Sequence, residues 1–277
     1  MSRIAKRFAK LKADRRAALV AYFSAGDPDV STSYEILKGM PAAGADVIEL
    51  GMPFTDPMAD GPAIQLGGQR ALKAGMTVDK TFDMVRRFRK ETGDDDTPIL
   101  LMGYYNLVYQ RGPELFCRQA AEAGVDGFIL VDLPPEEADE LKPHAVAAGI
   151  DTVLLTAPTT DDKRLPAVLK YSAGFVYFVS VLGITGTKSS TEEAIRTHVE
   201  RIKRHTRLPV GVGFGIRTPE QAAAVARHAD AAVVGTAIVE RVKAGLDEHG
   251  NAKPDLVPGV FAYIKALADG VRGVRKE

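Results

Sequence analysis

The sequence predicts a closed (βα)8 barrel with an extra helix at the N-terminus. Eight short apolar segments recur along the 277 residues, and amphipathic helical patterns separate them. Strands that alternate with helices are typical of a parallel sheet, and eight such units in about 250 residues are typical of a barrel. An open doubly wound sheet is the alternative, because the number of strands does not prove that the sheet closes.

The N-terminal helix is predicted from a single apolar stripe. Ile4, Phe8 and Leu11 recur at helical spacing within a basic segment, which is the pattern of a short amphipathic helix. The basic charge also resembles that of an organelle transit peptide, but the stripe favours an element of the fold. We therefore expect this helix to cap the barrel.

The strands are predicted at short apolar runs that follow a turn or a glycine helix end. They cover residues 18–23, 46–50, 99–102, 128–131, 152–155, 175–179, 208–212 and 231–234. Helical patterns cover residues 79–91, 113–123, 136–148, 162–172, 191–205, 218–228 and a segment near 256–269. Another helix is predicted to begin in a capping box of Thr32 and Glu35. No linker or low-complexity stretch divides the sequence, so residues 1–277 are expected to form a single domain.

Composition excludes several classes of partner. The 36 basic and 36 acidic side chains give a formal net charge of zero, so no overall field draws the chain to nucleic acid or to an anionic membrane. The single cysteine, Cys117, has no partner for an internal disulfide, and no apolar run approaches the roughly 18 residues that span a bilayer. We expect a cytoplasmic protein that binds neither nucleic acid nor membrane.

Two carboxylates, Glu49 and Asp60, flank a loop that contains several prolines. In the strand before it, Val47 and Glu49 share one face, because side chains alternate along a strand. A carboxyl among apolar neighbours has a raised pKa, which suits a catalytic acid or base. The alternative for Glu49 is an ordinary glutamate in water at a strand end. The alternative for Asp60 is a turn, which Asp followed by Gly61 favours.

Glycine-rich turns follow the last two predicted strands and indicate a phosphate site. Gly213 and Gly215 lead into Thr218, a natural helix N-cap, and Gly235 directly precedes Thr236. Glycine lets backbone N–H groups approach an anion, and a helix N-terminus adds partial positive charge. Barrels commonly bind phosphate after these two strands. The alternative is that the glycines serve only the tight turns.

The residues that follow the predicted strands limit the types of reaction that this chain could catalyse. Tyr104, Asn106 and Asp132 lie in such loops, where barrel active sites form. No histidine lies at the carboxyl end of a predicted strand, which disfavours a histidine-bound metal, and no lysine lies there, which disfavours a Schiff base. An isomerase, aldolase, decarboxylase or epimerase of a phosphorylated substrate is still compatible with these residues.

Residues 49–65, ELGMPFTDPMADGPAIQ, closely resemble the signature of the tryptophan synthase alpha subunit, with Met52 in place of the usual branched residue. The resemblance extends through AGDPD at 25–29, VDLPPEE at 131–137, GITG at 183–186 and GFGIRTPEQ at 213–221. It implies a lyase of tryptophan biosynthesis that cleaves indole-3-glycerol phosphate to indole and glyceraldehyde 3-phosphate. Glu49 would transfer protons at indole C3 and the adjacent hydroxyl, and ionised Asp60 would accept a hydrogen bond from the ring N–H.

The resemblance also implies which residues bind the substrate. The indole pocket would be lined by Tyr22, Met102, Ile129, Leu155, Tyr177 and Phe214, with Thr185 near the carboxylates. Backbone N–H groups of Gly186, Gly215, Gly235 and Thr236 would hold the phosphate. For each apolar residue, the packed barrel core is the alternative. Val131, where the family commonly has alanine, and Thr236, where serine is frequent, depart from the family pattern.

The family acts with a beta subunit that carries pyridoxal phosphate, in an αββα assembly. The resemblance therefore implies that this chain holds no cofactor or metal, and that loops 53–60 and 181–193 face the partner and close over the substrate. A self-sufficient lyase that releases free indole is one alternative. A catalytically silent regulatory subunit is another, and the presence of both Glu49 and Asp60 argues against it.

Overall fold

Parallel strands form one sheet around the centre of the molecule. The computed structural model describes residues 1–180, 192–213 and 215–274. Within them the strands are β1 Ala18–Ser24, β2 Val47–Gly51, β3 Ile99–Gly103, β4 Gly127–Leu130, β5 Asp151–Thr152, β6 Leu155–Thr156, β7 Val176–Val179, β8 Val210–Gly213 and β9 Ala231–Val234. Their order is β5-β4-β3-β2-β1-β9-β8-β7-β6, and every pair in this order is parallel.

The first and last strands of this order, β5 and β6, follow each other directly in the sequence. β5 pairs with β4, and β6 pairs with β7. Between them, the Val153 N–H donates to the Phe128 carbonyl at 2.9 Å and the Tyr177 N–H donates to the Leu154 carbonyl at 3.1 Å. The strand predicted at 152–155 is therefore two short strands, because its first half bonds to one neighbour and its second half to the other. This stretch closes the sheet into the predicted barrel, and the open sheet is excluded.

Helices cover the outside and one end of the barrel. They are α1 Arg3–Ala13, α2 Val30–Ala43, α3 Pro62–Lys73, α4 Val78–Thr92, α5 Tyr105–Arg111, α6 Pro113–Ala123, α7 Lys142–Ala147, α8 Leu165–Tyr171, α9 Glu192–Lys203, α10 Pro219–His228, α11 Thr236–Ala244 and α12 Leu256–Arg272. A 3-10 helix, Pro135–Glu140, precedes α7, so the helix predicted at 136–148 is two shorter elements. The sequence reasoning missed α3, α5 and α11, which begin inside the loops after strands. No helix among the described residues is both long enough and apolar enough to cross a membrane.

The start of α2 differs from the prediction. The helix begins at Val30, and its N-cap is Asp29, whose carboxylate accepts the Thr32 N–H at 2.9 Å. Asp29 also accepts the Thr32 hydroxyl at 2.7 Å. The capping box of Thr32 and Glu35 was therefore wrong, because a better acceptor lies three residues earlier and already satisfies the free N–H.

α1 closes one end of the barrel, as predicted. Ile4, Phe8 and Leu11 are buried with Val20 in the apolar cluster inside the barrel. The Phe8 ring lies 5.6 Å from that of Phe175, a distance typical of packed aromatic pairs. With this end filled, the interior can open only at the carboxyl ends of the strands.

Acidic residues at the closed end are structural. Asp46 accepts the Leu19 N–H at 2.9 Å and both ends of the Arg16 guanidinium, and Asp126 accepts the Ile99 N–H at 2.8 Å. Each of these acids directly precedes a strand and bonds to the start of the neighbouring strand. Each carboxylate oxygen of Asp46 and Asp126 accepts a hydrogen bond, in contrast to Oε1 of Glu49.

Candidate active site

Glu49 lies inside the barrel near its open end. It is paired in register with Tyr22 of β1 and Leu100 of β3. Val47, two residues earlier on β2, belongs to the apolar cluster inside the barrel, so Glu49 faces the same interior. The predicted placement of Val47 and Glu49 on one apolar face is confirmed.

The surroundings of Glu49 favour its protonated form. The residue is 1% exposed, and none of the described residues gives its Oε1 atom a hydrogen-bond partner. Burial raises the pKa of Glu49 to about 8, because a buried carboxylate loses the hydration that stabilises its charge. At neutral pH this carboxyl therefore holds a proton that it can transfer.

Asp60 lies at the end of the 53–60 loop, directly before α3. Burial raises its pKa to about 6, and a hydrogen bond from the Tyr104 hydroxyl limits the rise. An acid of this pKa is mostly ionised at neutral pH. The two carboxyls therefore differ in protonation near pH 7, an arrangement that separates an acid from a charge-stabilising group.

Tyr104 is a site residue whose role the sequence reasoning missed. It follows β3, and its hydroxyl accepts the Ala59 N–H at 2.9 Å while it donates to Asp60. Its ring stacks on Phe54, with centroids 5.2 Å apart. Tyr104 thus contacts both ends of the 53–60 loop. Its position in a loop after a strand was the available signal, but the pairing with Asp60 depends on the fold.

A buried ion pair supports the element that follows Asp60. Arg70 of α3 donates through Nε and Nη2 to the Asp27 carboxylate at 2.7 and 2.8 Å, and Asp27 is 1% exposed. Two parallel bonds of this kind fix orientation as well as distance. Asp27 belongs to the AGDPD motif after β1, so this motif anchors α3 to the strand end.

Most residues of the predicted indole pocket lie on the inner wall of the barrel. Ile129 and Tyr177 are buried in the interior cluster, and the partly buried Met102 and Leu155 pack against it. Tyr22 also faces inward, two residues after Val20. Whether these side chains touch a substrate stays a prediction. Phe214 and Thr185 lie outside the described residues.

The predicted phosphate turns lie after β8 and β9. Gly215 has a φ of +85°, a conformation that residues with a side chain rarely adopt. Thr218 caps α10 in a full capping box with Gln221. Gly235 precedes α11, whose first residue is Thr236, and the first N–H groups of a helix lack partners within it. Gly186 lies outside the described residues, so its phosphate role stays a prediction with the others.

Among the described residues, one cavity near the barrel lies beside these turns and another lies away from them. A cleft of about 90 Å³ is lined by Gly213 and Gly215 together with Gln221 of α10. Another space, of only about 10 Å³, lies outside the sheet beside Lys142 and Tyr171, and neither Glu49 nor Asp60 lines it. Among the described residues, no group of three or more histidine, cysteine or acidic side chains is placed to hold a metal ion.

Fold and site together define a (βα)8-barrel enzyme with two carboxyls of raised pKa, Glu49 and Asp60, at the open end of the barrel. A family model described as tryptophan synthase alpha chain matches residues 8–260. The chain therefore belongs to the tryptophan synthase alpha chain family, whose members are lyases that cleave indole-3-glycerol phosphate. The family resemblance inferred from the sequence motifs is confirmed.

Solved structures similar to this chain match nearly its whole length. Tryptophan synthase subunit alpha from Legionella pneumophila str. Paris is 37% identical with a TM-score of 0.89, over 99% of this chain and 100% of that one. A chain of Mycobacterium tuberculosis tryptophan synthase is 35% identical with a TM-score of 0.87, over 98% of both chains. A chain from Aquifex aeolicus VF5 is 38% identical with a TM-score of 0.87, over 100% of both. The predicted fold class is confirmed.

Proposed function

We propose that Glu49 and Asp60 together carry out the cleavage of indole-3-glycerol phosphate to indole and glyceraldehyde 3-phosphate in this chain. The observation that carries the proposal is the contrast between two carboxyls that both lie close enough to Tyr22 to raise its pKa. Burial raises the pKa of Glu49 to about 8, whereas the pKa of Asp60 is about 6. At neutral pH one carboxyl holds a proton and the other is mostly ionised, and the reaction requires one of each.

The reaction needs no external electron sink, because the indole ring supplies one. Protonated Glu49 donates its proton to indole C3, which creates an indoleninium cation. The carboxylate of Glu49 then removes the proton from the hydroxyl on the adjacent side-chain carbon. That carbon becomes the aldehyde as its bond to C3 breaks, and the bonding electrons return to the ring. Glu49 ends with its proton restored.

Asp60 acts on the charge that develops in the ring. An ionised carboxylate next to the indole N–H stabilises the positive charge of the indoleninium, and it does so most strongly in a buried site. The hydrogen bond from Tyr104 supports this role, because it favours the ionised form of Asp60.

The remaining predicted residues would bind the two ends of the substrate. The ring would lie among Tyr22, Met102, Ile129, Leu155, Tyr177 and Phe214, with Thr185 beside the carboxylates. The phosphate would be held by backbone N–H groups of Gly186, Gly215, Gly235 and Thr236. The inward orientation of the described wall residues and the free N–H groups at the start of α11 support this arrangement.

An indole-release assay tests the proposal. We expect the purified chain to release indole slowly from indole-3-glycerol phosphate. Glu49→Gln should lower the rate by at least about 100-fold, because general acid–base catalysis contributes that much. Glu248→Gln, the same change at a largely exposed position, is the control and should leave the rate unchanged. A folded wild-type chain that makes no indole, with or without a beta subunit, contradicts the proposal.

We also infer that the open end of the barrel docks the beta subunit in an αββα assembly. Met58, on the 53–60 loop, is 69% exposed, and Tyr109, on α5 after β3, is 64% exposed. Large apolar side chains in water at one end of a molecule are typical of a contact surface. Residues 181–191 of the predicted 181–193 partner loop lie outside the described residues.

Adding a beta subunit that contains pyridoxal phosphate tests this docking. We expect a large activation of indole release, and Tyr109→Asp should weaken it about tenfold or more, since a charge at an apolar contact is costly to bury. The basal rate should not change. Fast release without a partner would instead indicate the self-sufficient lyase. In this proposal the pyridoxal phosphate belongs to the beta subunit, so we propose no cofactor for this chain. We also propose that the chain acts in the cytoplasm.

A further inference from the structure

The Tyr22 side chain lies between the carboxylates and the phosphate turn. It is 6% exposed, and its residue is paired in register with Glu49. A Cβ atom built on Gly235 would lie 3.3 Å from Cδ1 of the Tyr22 ring. One built on Gly51 would lie only 2.3 Å from the Tyr22 hydroxyl. The ring therefore runs from the start of α11 to the glycine that follows Glu49 on the inner face of β2.

The Tyr22 hydroxyl is a hydrogen-bond donor with a poor partner. It lies 3.3 Å from the Ser24 Oγ atom, longer than the roughly 2.7–2.8 Å that is usual between two oxygens. Burial, followed by the negative charge of Asp60, raises the pKa of Tyr22 well above its ordinary value. The hydroxyl stays protonated at any pH at which the barrel works, so its proton is available to a better acceptor.

A substrate bound at both ends would place its side chain next to the Tyr22 hydroxyl. Our proposed function holds the indole ring between Glu49 and Asp60, and holds the phosphate at Gly235 and Thr236. The three-carbon glycerol chain joins these two ends and carries two hydroxyls. Glu49 and Asp60 are already engaged in proton transfer and in binding the ring N–H. Tyr22 lines the path between the two ends with a polar atom.

We propose that the Tyr22 hydroxyl donates a hydrogen bond to a glycerol hydroxyl of the substrate, and that it thereby selects a hydroxylated side chain. This inference rests on the proposed function. It adds a specificity-determining contact to a residue that sequence reasoning placed only in the apolar wall of the indole pocket. A site that bonds a substrate hydroxyl discriminates against a ligand that lacks it, because its own donor is then left unpaired.

Tyr22→Phe with two ligands tests the inference. The variant removes one oxygen and keeps the ring. The ligands are indole-3-glycerol phosphate and 3-(indol-3-yl)propyl phosphate, which keeps the ring and phosphate but lacks both side-chain hydroxyls. We expect kcat/KM for the substrate to fall about 3- to 10-fold, the usual effect of losing one neutral hydrogen bond. The dissociation constant of the hydroxyl-free ligand should change by less than about twofold, since that bond was never made.

Tyr34→Phe is the matched control. The Tyr34 residue is also buried, but its hydroxyl donates to Glu91 at 2.7 Å on the outside of the barrel, so neither ligand should be affected. If Tyr22→Phe weakens both ligands equally, or weakens neither, the inference is wrong. Failure of the proposed function looks different, because the wild-type chain would then neither cleave the substrate nor bind the hydroxyl-free ligand.

Discussion

At the scale of single residues, Glu49 shows most directly how burial serves function. Its carboxyl is enclosed, and the described residues leave Oε1 without a hydrogen-bond partner. Such a position costs stability, because the folded state resists ionisation that the unfolded chain permits. Asp46 is buried to a similar degree but has a guanidinium and a backbone N–H to bond. In the proposed function, this difference separates the catalytic acid Glu49 from the structural acid Asp46.

The stability cost of Glu49 should depend on pH. Its pKa is about 8 in the folded protein, against 4.5 for an unperturbed glutamate. Below about pH 4.5 both states hold the proton, and the cost is absent. As pH rises toward 8, only the unfolded state ionises, so stability is lost. Relative to wild type, Glu49→Gln should gain on the order of a few kcal/mol between about pH 5 and about pH 8, measured by urea unfolding. A constant difference across this range contradicts the account.

The pH dependence of catalysis follows from the same two carboxyls. The proposed mechanism requires Glu49 protonated and Asp60 ionised, so kcat/KM should fall above about pH 8 and below about pH 6. A steady-state profile of the free chain measures both limbs. In Asp60→Asn the residual activity should lack the acid limb and keep the basic one. An unchanged acid limb in this variant would show that another group produces it.

At the scale of elements, Tyr104 couples the loop that carries Asp60 to β3. Its hydroxyl bonds to Ala59 and Asp60, and its ring stacks on Phe54. The ion pair of Asp27 and Arg70 fixes α3 directly behind the same loop. Tyr104 and the start of α3 thus fix the position of Asp60. A fixed carboxylate needs less rearrangement when positive charge develops in the substrate.

Removing the Tyr104 hydroxyl should change the ionisation of Asp60. Tyr104→Phe keeps the stacking on Phe54 but removes a donor that lowers the pKa of Asp60. The acid limb of the kcat/KM profile should therefore move to higher pH, while the basic limb stays in place. Tyr105→Phe is the control, because that hydroxyl donates to Glu140, outside the site. A uniform loss of activity with no shift of the limb would indicate a purely structural role.

Sequence reasoning succeeded where a feature depends on local pattern. The alternation along β2 placed Glu49 on the interior, and the stripe of Ile4, Phe8 and Leu11 identified the helix that closes the barrel. It failed where two nearby residues compete for one role, or where residues far apart in sequence meet. Asp29 replaced Thr32 as the cap of α2, and the hydrogen bond of Tyr104 to Asp60 joins two loops far apart in sequence.

At the scale of the whole molecule, the barrel is closed by contacts between distant parts of the chain. Residues 151–156 join β4 to β7, and α1 fills the interior below the site. α12 packs against α2, so the C-terminal helix lies on the first βα unit. We propose from these contacts that residues 1–277 unfold as a single domain.

Phe8→Ala tests this cooperativity. Phe8 is 6% exposed and packs on Phe175 inside the barrel, so its loss should destabilise the protein by about 3–5 kcal/mol. The change should appear as one transition at lower denaturant, the same by circular dichroism and by tyrosine fluorescence. Two separate transitions would show that α1 and the barrel behave as independent units.

Titration of the Glu49 carboxyl shows whether this residue holds a transferable proton at neutral pH. Carbon-13 NMR of the protein labelled at glutamate Cδ gives one resonance for each carboxyl, and the resonance absent from Glu49→Gln identifies Glu49. We expect a midpoint near pH 8, far above the 4.5 of an unperturbed glutamate. A midpoint near 4.5 would mean that Glu49 is ionised at neutral pH and cannot be the acid that protonates indole C3.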